Sequence, residues 1–242
     1  MRAVVILVLL ATRVASARPF DDFEGGGWLH YELTGLHGLE NVRGSAGAQE
    51  LVLAGFRLHG FVGTGSTIGF HVGLDAAAGG ALDAGGFAYD VALFPVGIAA
   101  RFGRTGVITL GAGVGASGAT GALDDAVTLP LELDAELGGG RLRRLPRVRT
   151  SYVAGADSRQ SAAPSLPFAD ELDATVGLRV GRHYEDHGFP SGNGYFVGVA
   201  YRELAGTRFA GLVIGYSIDI ATPREDRSGT RRTERYGCAD CE

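Results

Sequence analysis

The sequence contains no lysine, and all 22 of its basic residues are arginine. We attribute this bias to codon usage in the genome and assign it no function. The net charge is −5, and arginines do not cluster with aromatic residues, which argues against a nucleic-acid partner. Beyond its N-terminus the chain has no long apolar run, and a transmembrane helix needs about 20 such residues. A membrane protein with this sequence must therefore use β-strands, which close into a barrel in lipid.

Glycine, in contrast, is abundant. The chain has 242 residues, a length that fits one domain, and 40 of them are glycine. This is more than twice the usual share of about 7%. The glycines form no collagen-like triplet repeat. Within strands, glycine marks tight curvature or close packing, as inside a narrow barrel.

The segment Phe209–Ala221 shows a pattern that recurs along most of the chain. Alternate residues on one face are large and apolar: Leu212, Ile214, Tyr216, Ile218 and Ile220. The residues between them are small or weakly polar: Gly211, Val213, Gly215, Ser217 and Asp219. A period of two residues is typical of a strand. A soluble sheet usually covers its second face with charged residues, so this pattern favours a barrel with lipid outside and a small, polar lumen lining.

Ten segments carry such a strand pattern. They are Trp28–Leu36, Leu51–Val62, Thr67–Asp75, Gly86–Arg101, Gly106–Ala116, Ala126–Leu137, Arg147–Gly155, Leu172–Gly181, Tyr195–Arg202 and Thr207–Ala221. We predict an all-β fold, a closed antiparallel up-and-down transmembrane β-barrel over 28–221. Ten strands are preferred, within a range of eight to twelve. Tyr195 and Tyr201, at the two ends of the ninth segment, are typical of the aromatic girdles at membrane interfaces.

The connections between these segments alternate in length at first. Gly63–Ser66 and Gly103–Thr105 are short, and the connections on either side of them are longer. Short periplasmic turns and longer external loops alternate in this way in outer-membrane barrels. The alternation then fails, because His183–Asn193 is long where a short turn is expected and Glu203–Gly206 is short where a loop is expected.

Both ends of the chain differ from the barrel region. Residues 1–17 have a charged start, a short apolar stretch and the sequence Ala15-Ser16-Ala17, which predict a secretory signal peptide cleaved near Ala17. Residues 18–27 form an acidic, glycine-rich lead-in. Residues 222–242 are charged and predict a disordered tail. Its Cys238 and Cys241 are candidates for a small disulfide in an oxidising periplasm, with metal or redox chemistry as the alternatives.

In this pattern the chain resembles small outer-membrane β-barrel proteins of Gram-negative bacteria. The resemblance covers the signal-like start and most of 28–221. It implies residence in the cell outer membrane, contact with outer-membrane lipids and with the barrel-assembly machinery, and a possible surface partner at the external loops. It implies no cofactor. Such proteins often end on an aromatic residue that closes the last strand, whereas this last strand ends at Ala221 and a tail follows.

The stretch Arg182–Pro190 is loosely similar to the His-Tyr-Ser-Asn-x-Gly sequence of outer-membrane lipid A deacylases. The matching histidine is His183, a candidate catalytic residue that in this family activates a serine. Here Glu185 occupies the serine position, so the nucleophile is missing. The alternatives are a polar loop, which we prefer, and a metal site formed by His183, Glu185 and His187, which alternate along an extended segment.

Charged residues fall repeatedly on the small, polar faces of the strands. The predicted lumen charges are Arg57, Asp75, Asp90, Glu132, Asp134, Glu136, Arg147, Arg149, Arg179, Arg202 and Asp219. Paired carboxylates can serve acid–base catalysis. Because arginines match the acids, we prefer a salt-bridge network that fills the lumen. One register of the sixth and seventh segments places Asp134 opposite Arg147 and Glu132 opposite Arg149.

A barrel of eight to ten strands has an interior that side chains nearly fill. The preferred function is therefore non-enzymatic: an outer-membrane barrel with a filled or narrow lumen that serves a structural or surface-interaction role, or limited, porin-like passage of small solutes. The first alternative is a lipid-modifying outer-membrane enzyme that uses His183. The second is a secreted soluble β-barrel or sandwich that binds an apolar ligand, with the apolar faces turned inward.

Overall fold

The computed structural model describes residues 24–40, 50–63, 67–82, 86–102, 106–119, 123–139, 142–154, 170–186, 189–204 and 207–221. The signal peptide predicted over 1–17, the tail predicted over 222–242 and the pair Cys238 and Cys241 lie outside these residues. Residues 24–27, at the end of the predicted lead-in, belong to the first strand.

The described residues form ten antiparallel strands. Their bounds are β1 (Glu24–Glu40), β2 (Glu50–Gly63), β3 (Ile68–Ala81), β4 (Gly86–Phe102), β5 (Gly106–Ala119), β6 (Leu123–Gly139), β7 (Leu142–Ala154), β8 (Glu171–Asp186), β9 (Phe189–Leu204) and β10 (Thr207–Ala221). Each strand pairs with its neighbours in the chain, and β1 pairs with β10, so the sheet closes on itself. The fold is an all-β, ten-stranded up-and-down barrel, as predicted. The described residues contain no helix long and apolar enough to cross a membrane.

The barrel has two ends, which we name by their connections. At the turn rim, where β1 begins and β10 ends, strands are joined by residues 64–67, 103–105, 140–141 and 187–188. At the loop rim, they are joined by residues 41–49, 82–85, 120–122, 155–170 and 205–206. Every connection at the turn rim is thus short, whereas the loop rim carries both of the longest ones.

One of the two departures from the alternation came from strand ends that sequence reasoning placed in loops, whereas the connection at residues 205–206 is short although it lies at the loop rim. The stretch His183–Asn193 is not a long connection, because β8 continues to Asp186 and β9 begins at Phe189. Likewise β3 continues through Ala76–Ala81, which pairs with both β2 and β4. Neither stretch alternates between apolar and polar residues, so its sequence carries no strand signal.

The outer and inner walls of the barrel have opposite character. Large apolar side chains are exposed on every strand, among them Leu33, Leu58, Val72, Leu93, Leu110, Leu131, Val148, Val176, Val199 and Ile214. Most of the buried residues that face the lumen are glycine, aromatic or charged. The alternation in the sequence therefore separates an apolar outside from a largely polar inside.

Strand β4 keeps this separation across a change in its alternation. Ala92 and Phe94 face the lumen, and beyond Pro95 the inward positions become Gly97 and Ala99. The pairing of β4 with both neighbouring strands shifts register at this point. Proline cannot donate a ladder hydrogen bond and is found within sheets at such bulges. The bulge thus returns the apolar residues that follow it to the outer wall.

Close contact between β1 and β10 requires glycine at particular positions of the seam, Gly211 among them. A methyl group added to Gly211 would overlap the backbone carbonyl of Gly35, whereas one added to Gly35 would meet nothing within 4 Å. We expect Gly211→Ala to destabilise the folded barrel by about 1–3 kcal/mol, the usual cost of overpacking. The matched variant Gly35→Ala should change the free energy of unfolding little. Urea unfolding of both variants checks this, and equal stabilities would contradict the seam geometry.

Candidate functional site

The lumen contains the densest polar cluster of the described structure, and apolar residues lie at both of its ends. The loop-rim cluster consists of Leu36, Leu51, Leu53, Ala88, Ala200 and Phe209. The turn-rim cluster consists of Trp28, Phe61, Ala99 and Val107. All are at most 8% exposed. Leu145, Phe196 and Val213 pack together in the wall between the two ends. Burial of these side chains favours a closed interior over a water-filled channel.

Arg57 is the centre of the first group of ion pairs. Its NH2 nitrogen lies 2.5 Å from Asp134 Oδ2 and 3.4 Å from Glu132 Oε1, on the opposite side of the barrel. Its Nε nitrogen lies 3.5 Å from Asp75 and 3.7 Å from Glu32, on the neighbouring strands. The guanidinium of Arg57, a residue that is 7% exposed, therefore balances four carboxylates from three strands. Arginine suits this role because its planar group presents five donors.

A second group lies nearer the loop rim. Arg149 and Arg202 both donate to Asp90 Oδ2 from across the lumen. Arg147 NH2 lies 3.0 Å from Asp173 Oδ2, and Arg149 NH2 lies 3.4 Å from the same oxygen. These contacts connect β4 to β7, β8 and β9. The ion pairs thus cross the interior and do not merely follow neighbouring strands.

A third group lies toward the turn rim. Arg179 NH1 lies 2.5 Å from Asp219 Oδ1, and its NH2 lies 2.9 Å from Glu136 Oε1. Arg143 NH1 contacts the same two carboxyl groups, at 3.0 Å from Glu136 and 3.3 Å from Asp219. Arg179 also donates to Ser217 Oγ at 2.8 Å. Two arginines and two acids here form a compact, charge-balanced cluster.

A stack of aromatic rings connects the charges to the turn-rim cluster. The indole of Trp28 stacks on the imidazole of His59, with ring centroids 5.4 Å apart. His59 Nε2 lies 2.8 Å from Asp75 Oδ1, and His59 Nδ1 lies 3.0 Å from His71 Nε2. An ionised Asp75 only accepts hydrogen bonds, so His59 donates to it. Both histidines are 1% exposed, so this chain of groups stabilises the interior and meets no substrate while the lumen stays filled.

Glycines make room for these rings. A Cβ at Gly73 would lie 2.8 Å from the His59 ring, and a Cβ at Gly97 would lie 2.6 Å from His71 Nδ1. Real Cβ atoms do not approach other heavy atoms this closely. Part of the glycine excess therefore has a packing reason, because bulky interior side chains lie against glycine on the adjacent, paired strands.

One trio could in principle hold a metal ion. His59, Glu132 and Asp134 offer one ligand atom each, all within 4.8 Å of one another. The Arg57 guanidinium, however, already contacts both carboxylates of this trio. It supplies the positive charge that a metal would bring, and a second cation beside it would be repelled. The trio therefore fits an ion-pair network better than a metal centre.

A cavity in the lumen lies between the loop-rim cluster and the second group of ion pairs. It offers about 50 Å³ to the centres of water-sized molecules, and one water needs about 10–15 Å³ on this measure. Its lining includes Glu32, Thr34, Asp90, Thr175 and Arg202. The cavity therefore has room for a few waters and is too small for an apolar ligand.

All eleven charges predicted for the lumen lie on its inner wall, and each takes part in at least one ion pair. Strands β6 and β7 adopt the register that the sequence analysis considered, with Asp134 opposite Arg147 and Glu132 opposite Arg149. Glu132, however, makes its ion pairs with other residues, because the guanidinium of Arg149 reaches across the lumen to Asp90.

Sequence reasoning missed three members of the network. Glu32 and Asp173 occupy inward positions of strands that were predicted, on the same faces as Thr34 and Thr175, so their alternation was a usable signal. Arg143 was placed in the connection between β6 and β7, although β7 already begins at Leu142.

The candidate catalytic residue His183 belongs to β8 and pairs with Gly192 of β9 near the turn rim. Its side chain and that of Glu185 lie outside the described side chains, and His187 lies outside the described residues. The backbone places Arg182–Asp186 in β8 and Phe189 and Pro190 in β9, whereas a loop was preferred for this stretch.

Comparison with known proteins identifies no family for this chain. No protein-family model and no curated protein matches the sequence.

Proposed function

We propose that this chain is an outer-membrane β-barrel protein whose lumen is closed by side chains. The exposed apolar wall carries the proposal. Tyr195 is 75% exposed, Leu212 62% and Val180 60%, and similar side chains surround the barrel. Soluble monomers rarely expose a contiguous apolar patch larger than a few hundred Å². A barrel in a bilayer presents such a wall to lipid and keeps its polar residues inside.

The location of the charges supports the same proposal. A water-soluble barrel of this composition would gain by turning its arginines and acids toward water. Here they lie inside, where removal from water is costly unless each charge is paired. An inward network is favourable only when the outside is less polar still, as hydrocarbon is.

The proposal includes an orientation. The turn rim lies in the periplasm and the loop rim faces outward, because short periplasmic turns and longer external loops are the rule for such barrels. Export by the predicted signal peptide and insertion by the barrel-assembly machinery belong to this proposal. Outer-membrane lipids are then the immediate partners, and the loops of 41–49 and 155–170 are the surfaces open to any external partner.

The filled lumen favours a structural or surface role over solute passage. We expect the purified chain, reconstituted in planar lipid bilayers, to give no stable conductance of porin size, because Arg57, Asp90 and their partners span the interior. Insertion in the same preparation is checked by heat-modifiable gel mobility. A large, steady conductance from inserted protein would contradict the closed lumen while leaving the membrane location intact.

The two other functions receive less support. A soluble barrel for an apolar ligand requires apolar faces toward the lumen and room for the ligand, and here those faces are outside while the cavity holds only a few waters. A lipid-modifying enzyme requires a nucleophile beside His183, and Glu185 stands at the matching position.

A further inference from the structure

The outer wall carries a row of aromatic residues in direct register across four neighbouring strands. Phe56 is opposite Tyr31, Tyr31 is opposite Tyr216, and Tyr216 is opposite Tyr195. The rings of Tyr195 and Tyr216 meet edge to face, with centroids 5.1 Å apart. This aromatic row crosses the seam where β1 and β10 close the barrel.

The three tyrosines of the row lie in the middle part of the wall. Tyr31 is seven residues from the start of β1 and nine from its end. Tyr216 is nine residues from the start of β10 and five from its end. Tyr195 is six residues from the start of β9 and nine from its end. Tyr195 was expected at the end of its strand, and it lies farther inside because β9 begins earlier, at Phe189.

The other outward tyrosines whose side chains are described differ in place, and two of them also differ in bonding. Tyr89, Tyr152 and Tyr201 lie within three residues of the loop-rim ends of β4, β7 and β9. The Tyr89 hydroxyl donates to Asp125 at 2.9 Å, and the Tyr201 hydroxyl donates to Glu203 at 2.7 Å. No hydrogen bond between described residues involves the hydroxyls of the aromatic row.

An unpaired hydroxyl at this depth is unfavourable in a bilayer. Acyl chains neither donate nor accept hydrogen bonds, so a phenol among them loses its bonds to water without replacement. A partner in this sector must therefore offer both a donor and an acceptor at the same depth. A phenol does both, which makes a second phenol a suitable partner.

We propose that two copies of this chain associate in the membrane through the aromatic row, with Tyr31 facing the partner's Tyr216. This rests on the proposed membrane-spanning function. Two copies inserted in the same orientation are related by a two-fold axis along the membrane normal, which brings equal depths of the two walls together. An axis at the β1–β10 seam then places each Tyr31 opposite the partner's Tyr216, so two symmetric hydroxyl pairs form.

The remainder of the wall at this depth gives no comparable site. Its exposed side chains, such as Val72, Leu131 and Val176, are aliphatic. They are satisfied by acyl chains, which are as apolar as they are. Among the described side chains, the phenols in the middle part of the wall are thus confined to one sector, which predicts a dimer and not a larger or irregular assembly.

The test measures the dissociation constant of the dimer in phosphatidylcholine vesicles, by single-molecule photobleaching of the dye-labelled full chain over a range of protein-to-lipid ratios. The wild type is expected to shift from monomer to dimer as that ratio rises. Tyr31→Phe with Tyr216→Phe, which removes only the hydroxyls, should raise the dissociation constant about tenfold or more, as interchain hydrogen bonds in lipid predict. Tyr152→Phe, on another sector, should leave it unchanged.

A wild type that stays monomeric at every ratio would overturn the proposal, and so would a double variant that dimerises as the wild type does. Heat-modifiable mobility of each sample shows whether the chain has inserted. Inserted monomers refute only the dimer, whereas failure of the wild type to insert refutes the membrane-spanning function on which it rests.

Discussion

Ile214→Arg is expected to lower the free energy of unfolding of the lipid-embedded barrel by about 2–4 kcal/mol, the cost of arginine at the bilayer midplane. Ile214 is the central residue of β10, seven positions from either end, and is 51% exposed on the outer wall. Its neighbours in register, Leu33 and Val197, are also apolar and exposed. Chemical unfolding of the barrel in lipid vesicles measures the change.

Ile68→Arg is the matched control. Ile68 is exposed to a similar degree, 57%, but it is the first residue of β3 and lies at the turn rim. Arginine near the membrane interface costs about 0–1 kcal/mol. In a water-soluble barrel both positions would be ordinary surface sites, with changes within about 0.5 kcal/mol. Equal and small effects of the two substitutions would therefore contradict a lipid-facing wall.

Arg57→Gln is expected to destabilise the barrel by about 3–5 kcal/mol, the usual result of removing one partner of a buried ion pair. The substitution leaves Asp134, Glu132 and Asp75 near one another in the lumen without the guanidinium that balances them. The main cause of the destabilisation is the mutual repulsion of these carboxylates, and not the loss of packing contacts in the lumen. The same unfolding assay in vesicles measures it.

Two further variants separate this cause from a general effect of losing an arginine. Arg144→Gln removes an exposed arginine of the outer wall and should change the stability by no more than about 0.5 kcal/mol. Asp134→Asn in the Arg57→Gln background removes one unbalanced charge and should recover part of the loss. Asp134→Asn is also measured alone. If it lowers the free energy of unfolding by the same amount in the wild type and in the Arg57→Gln background, the two charges are independent and the network interpretation is wrong.

Period-two alternation was sufficient to predict the closed ten-stranded barrel. In Phe209–Ala221 the apolar and small residues alternate without interruption, and β10 has the predicted end. The same alternation placed Glu132 and Arg149 on the inner wall. It succeeds because in a strand the side-chain direction depends only on parity.

Strand ends and side-chain partners were harder to predict. The alanine and glycine residues of Ala76–Ala81 look alike on both faces, so parity gives no signal there. The partners of Arg57 and Arg149 lie on strands far away in sequence, and their contacts depend on the width of the lumen and the reach of a long, flexible side chain. Neither quantity can be obtained from one strand at a time.

Retention of the full chain in the outer membrane tests most directly whether the apolar wall faces lipid. The chain is expressed in Gram-negative cells, the membranes are washed with alkaline carbonate and urea, and the pellet is run on a gel with and without boiling. We predict that the protein stays in the outer-membrane pellet and changes mobility on boiling. Recovery of the folded chain from the soluble periplasmic fraction, without detergent, would contradict this account.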